Sequence, residues 1–302
     1  MSSDVVSPTL VKHLEGAKPP YLYHYTTQAG LFGIIEGCEL RATKVHYMND
    51  ATEFRASLEM LEDYLTTKEL TNTETFSSPP YTNLTVRKQI AKRVLMRTRN
   101  IENINICAAC FCKDGDLLSQ WRGYAGGNYG FAIGFKTDKL REYGNRAKFF
   151  LRRCICDKND QENIIKEISE SYLRDEIIEA TPQAEIVNAF FGALIEIGAL
   201  FKNSLFSEEK EWRLVSPPIE TRDLQFRQGR SMIIPYFGIS LRGEASDTPI
   251  DHVIVGPCPH KELSVRSVEA LLVREKVGEQ TMAPPGVRAK VTASDIPYRD
   301  TV

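Results

Sequence analysis

Three stretches of the chain hold residue types suited to chemistry. The first is Glu209-Lys210-Glu211, followed by Trp212-Arg213. Read as the opening of a strand, it puts Glu209, Glu211 and Arg213 on one face. Neighbouring carboxylates repel, so such a pair is held cheaply in water or where a ligand uses it. The second stretch is Tyr21-Leu22-Tyr23-His24-Tyr25-Thr26. A strand ending in His-x-Thr just before a helix offers an imidazole and main-chain groups to a flat polar ligand. The plainer reading is an ordinary core or surface histidine. The third is Trp121-Arg122-Gly123-Tyr124, close to Gly126-Gly127. Aromatics beside glycines mark a place where a planar ring stacks and the backbone comes close, or a tight turn with core aromatics.

The cysteines suit structure better than chemistry. There are seven, an odd number, in a chain long enough to build its own core. That argues against a disulfide framework and for a reducing, cytoplasmic setting. Cys107, Cys110 and Cys112, and also Cys154 and Cys156, sit in apolar, strand-like text rather than in the turns that zinc knuckles use. Buried thiols are expected, with no metal.

These residues need elements to position them. The aromatic and β-branched run 21–26 reads as a strand, then a helix over 27–37 with Thr27 as its cap. A helix over 51–66 follows, with Asp50 and Glu53 placed as a capping box, then a loop over 71–82. The spacing of Val86, Ile90 and Val94 predicts a helix over 85–99. Strands are expected at 104–112, 129–135, 148–156, 212–215, 231–237, 252–255 and 288–292, helices over 160–205 with a break at Thr181-Pro182, and a helix over 262–277. Regular βαβ alternation is absent, so the pattern is α+β rather than a doubly wound parallel sheet. Residues 1–20 read as a leader and 21–302 as a single domain.

The composition bounds the partners. With 302 residues, 38 Lys+Arg against 40 Asp+Glu and 42% hydrophobic residues, the chain reads as a globular protein with no bulk charge for DNA or a membrane. No apolar run approaches the roughly 18 residues of a membrane span, and no secretory signal is expected. The balance is local as well as global. Helix 51–66 is acidic, whereas helix 85–99 carries Arg87, Lys88, Lys92, Arg93, Arg97 and Arg99 without an acid. Arg87, Lys88, Lys92 and Arg93 are candidates for a nucleic-acid surface. The alternative is a charged hairpin between the two helices.

Taken as an ordered set, Tyr23-His24-Tyr25-Thr26, Asn49-Asp50 with Glu53-Phe54, Phe111, Leu118–Tyr124, Gly130–Phe135, Phe206–Arg213, Gly256-Pro257 and Ser294-x-Ile-Pro-Tyr-Arg299 resemble a widespread, largely uncharacterised family of bacterial proteins. The resemblance spans about residues 21–299. That family in turn resembles a divergent branch of the ADP-ribosyltransferase fold in its histidine–tyrosine–glutamate form. The resemblance implies a split core of mixed and antiparallel sheet, with helical insertions at about 51–99 and 160–205. It implies NAD as the co-substrate and His24, Tyr124, Glu209 and Glu211 as catalytic residues. His24 would set the NAD pose through the adenosine ribose. Tyr124, or else Trp121, would stack on nicotinamide, and Glu211 would head its strand as the catalytic carboxylate. Glu209 would help activate the acceptor, and Tyr25, Thr26 and Arg122 would complete the NAD contacts. Breaking the nicotinamide–ribose bond passes through an oxocarbenium-like state, which a carboxylate stabilises.

The function so implied is mono-ADP-ribosylation of a macromolecular acceptor, protein or nucleic acid, in a toxin or a phage-defence effector. The alternative is a catalytically inactive nucleotide- or nucleic-acid-binding module of the same fold. It is motivated by the long insertions and by the absence of the fold's arginine or Ser-Thr-Ser markers.

Overall fold

The computed structural model describes residues 18–48, 51–71, 81–99, 101–124, 129–229, 231–243, 248–277 and 289–297. The Asp50 cap, the Glu53 side chain, residues 72–80, Gly126-Gly127, Tyr298-Arg299 and residues 1–17 of the expected leader lie outside them.

The first strand, β1 (Tyr21–Thr27), pairs antiparallel with β4 (Gly130–Lys136) over seven residues. A second antiparallel pairing joins β4 to β9 (Ile250–Val255), which carries β10 (Lys290–Ala293) parallel on its far side. The second sheet has six antiparallel strands. Its order is β5 (Phe150–Arg153), β6 (Trp212–Val215), β3 (Cys107–Phe111), β2 (Glu39–Lys44), β8 (Ile233–Ser240) and β7 (Gln225–Gln228). One parallel pair in two sheets agrees with the α+β reading.

Among the described residues, one main-chain bridge joins the sheets. Tyr23 on β1 and Cys112, just past β3, exchange two main-chain hydrogen bonds of 2.8 Å each. Beyond that bridge the strands part. On the closed side, side chains of both sheets form a common core. Leu22, Ile133 and Phe135 meet Phe111, Trp212, Leu214 and Ile239 there. Each such side chain contributes about 1.5–3 kcal/mol on burial.

Thr27 ends β1 and caps α1 (Gln28–Gly37), its hydroxyl accepting from the Gly30 amide at 3.2 Å. Leu31, Ile34 and Ile35 then cover the sheet core. The helix stops at Cys38, which takes the left-handed conformation (φ 48°).

The two insertions form one layer rather than two. Helices α2 (Ala51–Leu65) and α3 (Tyr81–Thr98) share a core with α6 (Lys158–Tyr172), α7 (Asp175–Ala180) and α8 (Gln183–Gly198). Leu61, Leu65, Ile90, Val94, Ile164 and Phe190 fill it, and Ala108 and Val215 of the second sheet close it. The two charged helices touch where the Thr98 hydroxyl donates to Glu62 at 2.9 Å, but two of the arginines reach other helices. Arg87 pairs with Asp175 of α7 at 2.9 Å, and Arg97 bonds Asn188 of α8 at 2.7 Å. Lys92 and Arg93 stay exposed.

Four elements were not legible in the text. They are β2, β7, α4 (Leu118–Tyr124) and α5 (Thr137–Arg146). β2, β7 and α5 carry few apolar residues, and α4 is only seven residues long, so periodicity has little to act on. The last helix, α9 (Lys261–Arg274), buries Val268 and Leu272. Among the described residues, no helix is long and apolar enough to cross a membrane.

Gly256 follows β9 where its amide bonds the Gly130 carbonyl at 2.9 Å. A Cβ there would lie 2.9 Å from that oxygen and 2.9 Å from the Trp121 ring. Backbone cannot yield as a flexible side chain can. Gly256→Ala is therefore expected to lower stability by about 1–3 kcal/mol, read as a shifted midpoint in urea denaturation.

Candidate functional site

On the open side of the Tyr23–Cys112 bridge, the parting sheets leave a cleft of about 650 Å³. Its walls are the end of β1, the first turns of α1, and strands β2, β3, β7 and β8. At its inner end lies a small notch of about 60 Å³, bounded by Tyr23, His24, Tyr25, Cys110, Gln120, Tyr124, Glu209 and Glu211 among others. His24, Tyr25, Cys110 and Tyr124 line both spaces. The structure thus brings together His24, Tyr25, Tyr124, Glu209 and Glu211, and Thr26 lies on the wall of the larger cleft.

His24 sits where β1 leaves β3. Its Nδ1 lies 2.9 Å from the Cys110 carbonyl oxygen. A carbonyl only accepts, so Nδ1 carries the proton and Nε2 is left as an acceptor. Burial lowers the His24 pKa and outweighs the carbonyl bond, which raises it. The imidazole is therefore neutral near pH 7.

Trp121 and Arg122 do not join the cleft. Trp121 is buried against Tyr25, ring centroids 4.7 Å apart and edge-on. Its indole N–H donates to Asp116 Oδ1 at 2.7 Å. Asp116 also accepts from the Ser294 hydroxyl at 2.6 Å and the Asp295 amide at 2.8 Å. The Tyr25 hydroxyl donates to the Asp114 carbonyl at 2.8 Å and accepts from the Leu117 amide at 3.0 Å. Trp121 thus anchors α4, and Tyr124, three residues on, is the aromatic delivered to the notch. Arg122 is exposed.

The glutamates are neither solvated nor free. Residues Ser204–Glu209 form a 3₁₀ turn, Lys210 takes φ 43°, and Glu211 leads into β6. Glu211 is 5% exposed, and Arg213 Nε donates to its Oε1 at 2.7 Å and Nη2 to its Oε2 at 3.2 Å. The Lys202 ammonium, whose side chain is 1% exposed, reaches Glu209 at 2.9 Å and also bonds Glu211. Two carboxylates and two cations therefore form one buried cluster. Burial pushes the Glu211 pKa up, but Arg213, Lys202 and the Cys110 thiol outweigh it and hold it at about 2. Glu211 is ionised throughout the physiological range.

Lys202 is the site residue that sequence reasoning missed. It follows the apolar run Ala199-Leu200-Phe201, which carries no signal for an inward cation. The backbone determines its place, through bonds between Lys202 and Ile155 at 3.0 Å and between Gln161 and the Lys202 carbonyl at 2.9 Å.

All seven cysteines are free thiols. Burial raises the Cys107 and Cys112 pKa values to about 12 and pushes Cys110 and Cys154 well above the ordinary thiol value. These are protonated, weakly polar core groups. Among the described residues, no group of three or more metal-ligating side chains occurs.

Residues 120–214 match a family described as "Protein of unknown function (DUF2971)". The match covers Tyr124, Lys202, Glu209, Glu211 and Arg213, and it omits His24. No curated protein and no solved structure matches the chain.

The charge cluster has a pH signature. A carboxylate whose folded pKa is depressed stabilises the fold above its unfolded pKa, and that contribution is lost as pH falls through the folded value. Resistance to denaturant is expected to fall as the pH drops from about 4.5 to 2, with Glu211 contributing. Lys202→Met leaves two buried carboxylates on one guanidinium. It is expected to cost about 3–5 kcal/mol, measurable in the same titration at pH 7.

Proposed function

We propose that this chain is an NAD-dependent mono-ADP-ribosyltransferase acting on a protein or nucleic-acid acceptor, with a divergent ADP-ribosyltransferase fold. The observation that carries the reading is convergence. His24, Tyr124, Glu209 and Glu211 come from three distant parts of the chain and line one notch, at the inner end of a cleft large enough for a nucleotide.

The roles follow from the protonation states. The neutral His24 offers Nε2 as an acceptor to a ribose hydroxyl. Tyr124 supplies a ring face for nicotinamide. The ionised Glu211 faces the positive charge that develops as the nicotinamide–ribose bond breaks. Glu209 stands beside it to orient the incoming acceptor.

One observation favours a second reading. Both Glu211 oxygens already accept bonds from Arg213, and Lys202 adds a third partner. A carboxylate so neutralised suits a module that binds a nucleotide without turning it over.

Incubation with NAD labelled in its adenylate half and a bacterial lysate separates the two readings. The transferase is expected to move label to a macromolecule and to release nicotinamide. Glu211→Gln is expected to lower that rate by about 10²–10³-fold. NAD binding without transfer or nicotinamide release would favour the second reading. Absence of NAD binding would count against both. Because Glu211 is also part of the buried cluster, circular dichroism of the variant must match that of the wild type.

A further inference from the structure

The outer half of the cleft holds a feature that none of the predicted site residues explains. Arg41 on β2 and Arg227 on β7 both line it, and both lie on the face of the second sheet that carries Thr43 and Tyr236. They are close enough for Arg41 to help push the Arg227 pKa down, after burial. Each is held in place. Arg227 Nη2 donates to the Thr43 hydroxyl at 3.3 Å, and the Arg41 guanidinium sits 5.2 Å over the Tyr236 ring. The Arg227 Nε–H is buried and has no acceptor among the described residues. Among the described residues that line the larger cleft there is no carboxylate. Glu39 lies 3.9 Å from Arg41.

Two guanidinium groups held side by side repel, and a buried N–H without an acceptor costs free energy. An anion between them relieves both. Guanidinium presents planar, paired donors that match phosphate oxygens. The opposite wall is α1, where a Cβ on Gly33 would lie 3.8 Å from the Arg41 guanidinium, in ordinary contact. The two ends of the cleft therefore differ, with carboxylates already paired to Lys202 and Arg213 at the inner notch and two arginines without a carboxylate between them in the outer half. The arginine half suits the diphosphate of an elongated ligand whose other end reaches the notch.

The geometry points to Arg41 and Arg227 as a diphosphate-binding subsite, so that a dinucleotide lies along the cleft with its phosphates between the two guanidinium groups. The dinucleotide rests on the transferase reading above, whereas the recognition of diphosphate does not.

Calorimetry on the full chain tests it with ADP-ribose, inorganic diphosphate and adenosine at low and moderate salt. ADP-ribose and diphosphate are expected to bind and to weaken as salt rises. Arg41→Gln and Arg227→Gln are each expected to weaken ADP-ribose by about tenfold or more, and the double variant to lose diphosphate. Arg41→Lys and Arg227→Lys keep the charge and are expected to retain part of the affinity. Equal ADP-ribose affinity in wild type and double variant would overturn the subsite, as would wild-type binding of neither ADP-ribose nor diphosphate. Arginine-dependent diphosphate binding without NAD turnover would retain the subsite and remove the transferase reading.

Discussion

The site exists because a main-chain bridge joins two sheets that then part. The reciprocal bonds between Tyr23 and Cys112 tie β1 to the end of β3. Past them the ladder stops, and main-chain groups of two core strands need other partners. His24 meets that need for Cys110 through Nδ1. One bond thus closes the end of the split, fixes the tautomer of the imidazole and leaves Nε2 available. The cleft and the inner notch both open from this place, which is why His24 lines both.

The second constraint is electrostatic. Glu209 and Glu211 stand close together and largely out of water, an arrangement that is costly unless each charge is paired. Lys202 and Arg213 supply that pairing. Arg213 is delivered by the β6 register, and its Nη1 donates to the Ala199 carbonyl at 2.9 Å. Lys202 comes from the end of the helical layer. The inserted helices are therefore joined to the notch, because the residues that end them hold its carboxylates.

Several short motifs that look unrelated in the sequence meet at Asp116. This carboxylate takes the Trp121 indole, the Ser294 hydroxyl and the Asp295 amide, and Gly256 gives the Trp121 ring its room. The residues around Trp121, Gly256-Pro257 and Ser294-x-Ile-Pro thus have a shared structural purpose. They seat α4 so that Tyr124 faces the notch.

Local sequence was enough to place the strand that carries His24, the strand that follows Glu211, the apolar helices of both insertions, the absence of regular βαβ alternation, and residue types at His24, Glu209 and Glu211 that are suited to chemistry. Those follow from local periodicity, capping and residue chemistry, which act over a few residues. Tertiary structure alone decided that the two insertions share a layer, that Trp121 anchors while Tyr124 faces the notch, and that Lys202 neutralises the glutamates. It also decided that Arg41 and Arg227 face one cleft. Their strands are edge or polar segments with little periodic signal, and 186 positions separate them in the sequence. The charge balance noted in the text is likewise resolved only in three dimensions. Arg87 pairs with Asp175 of α7 rather than with the acidic helix α2, because packing of the apolar faces determines which charged faces meet.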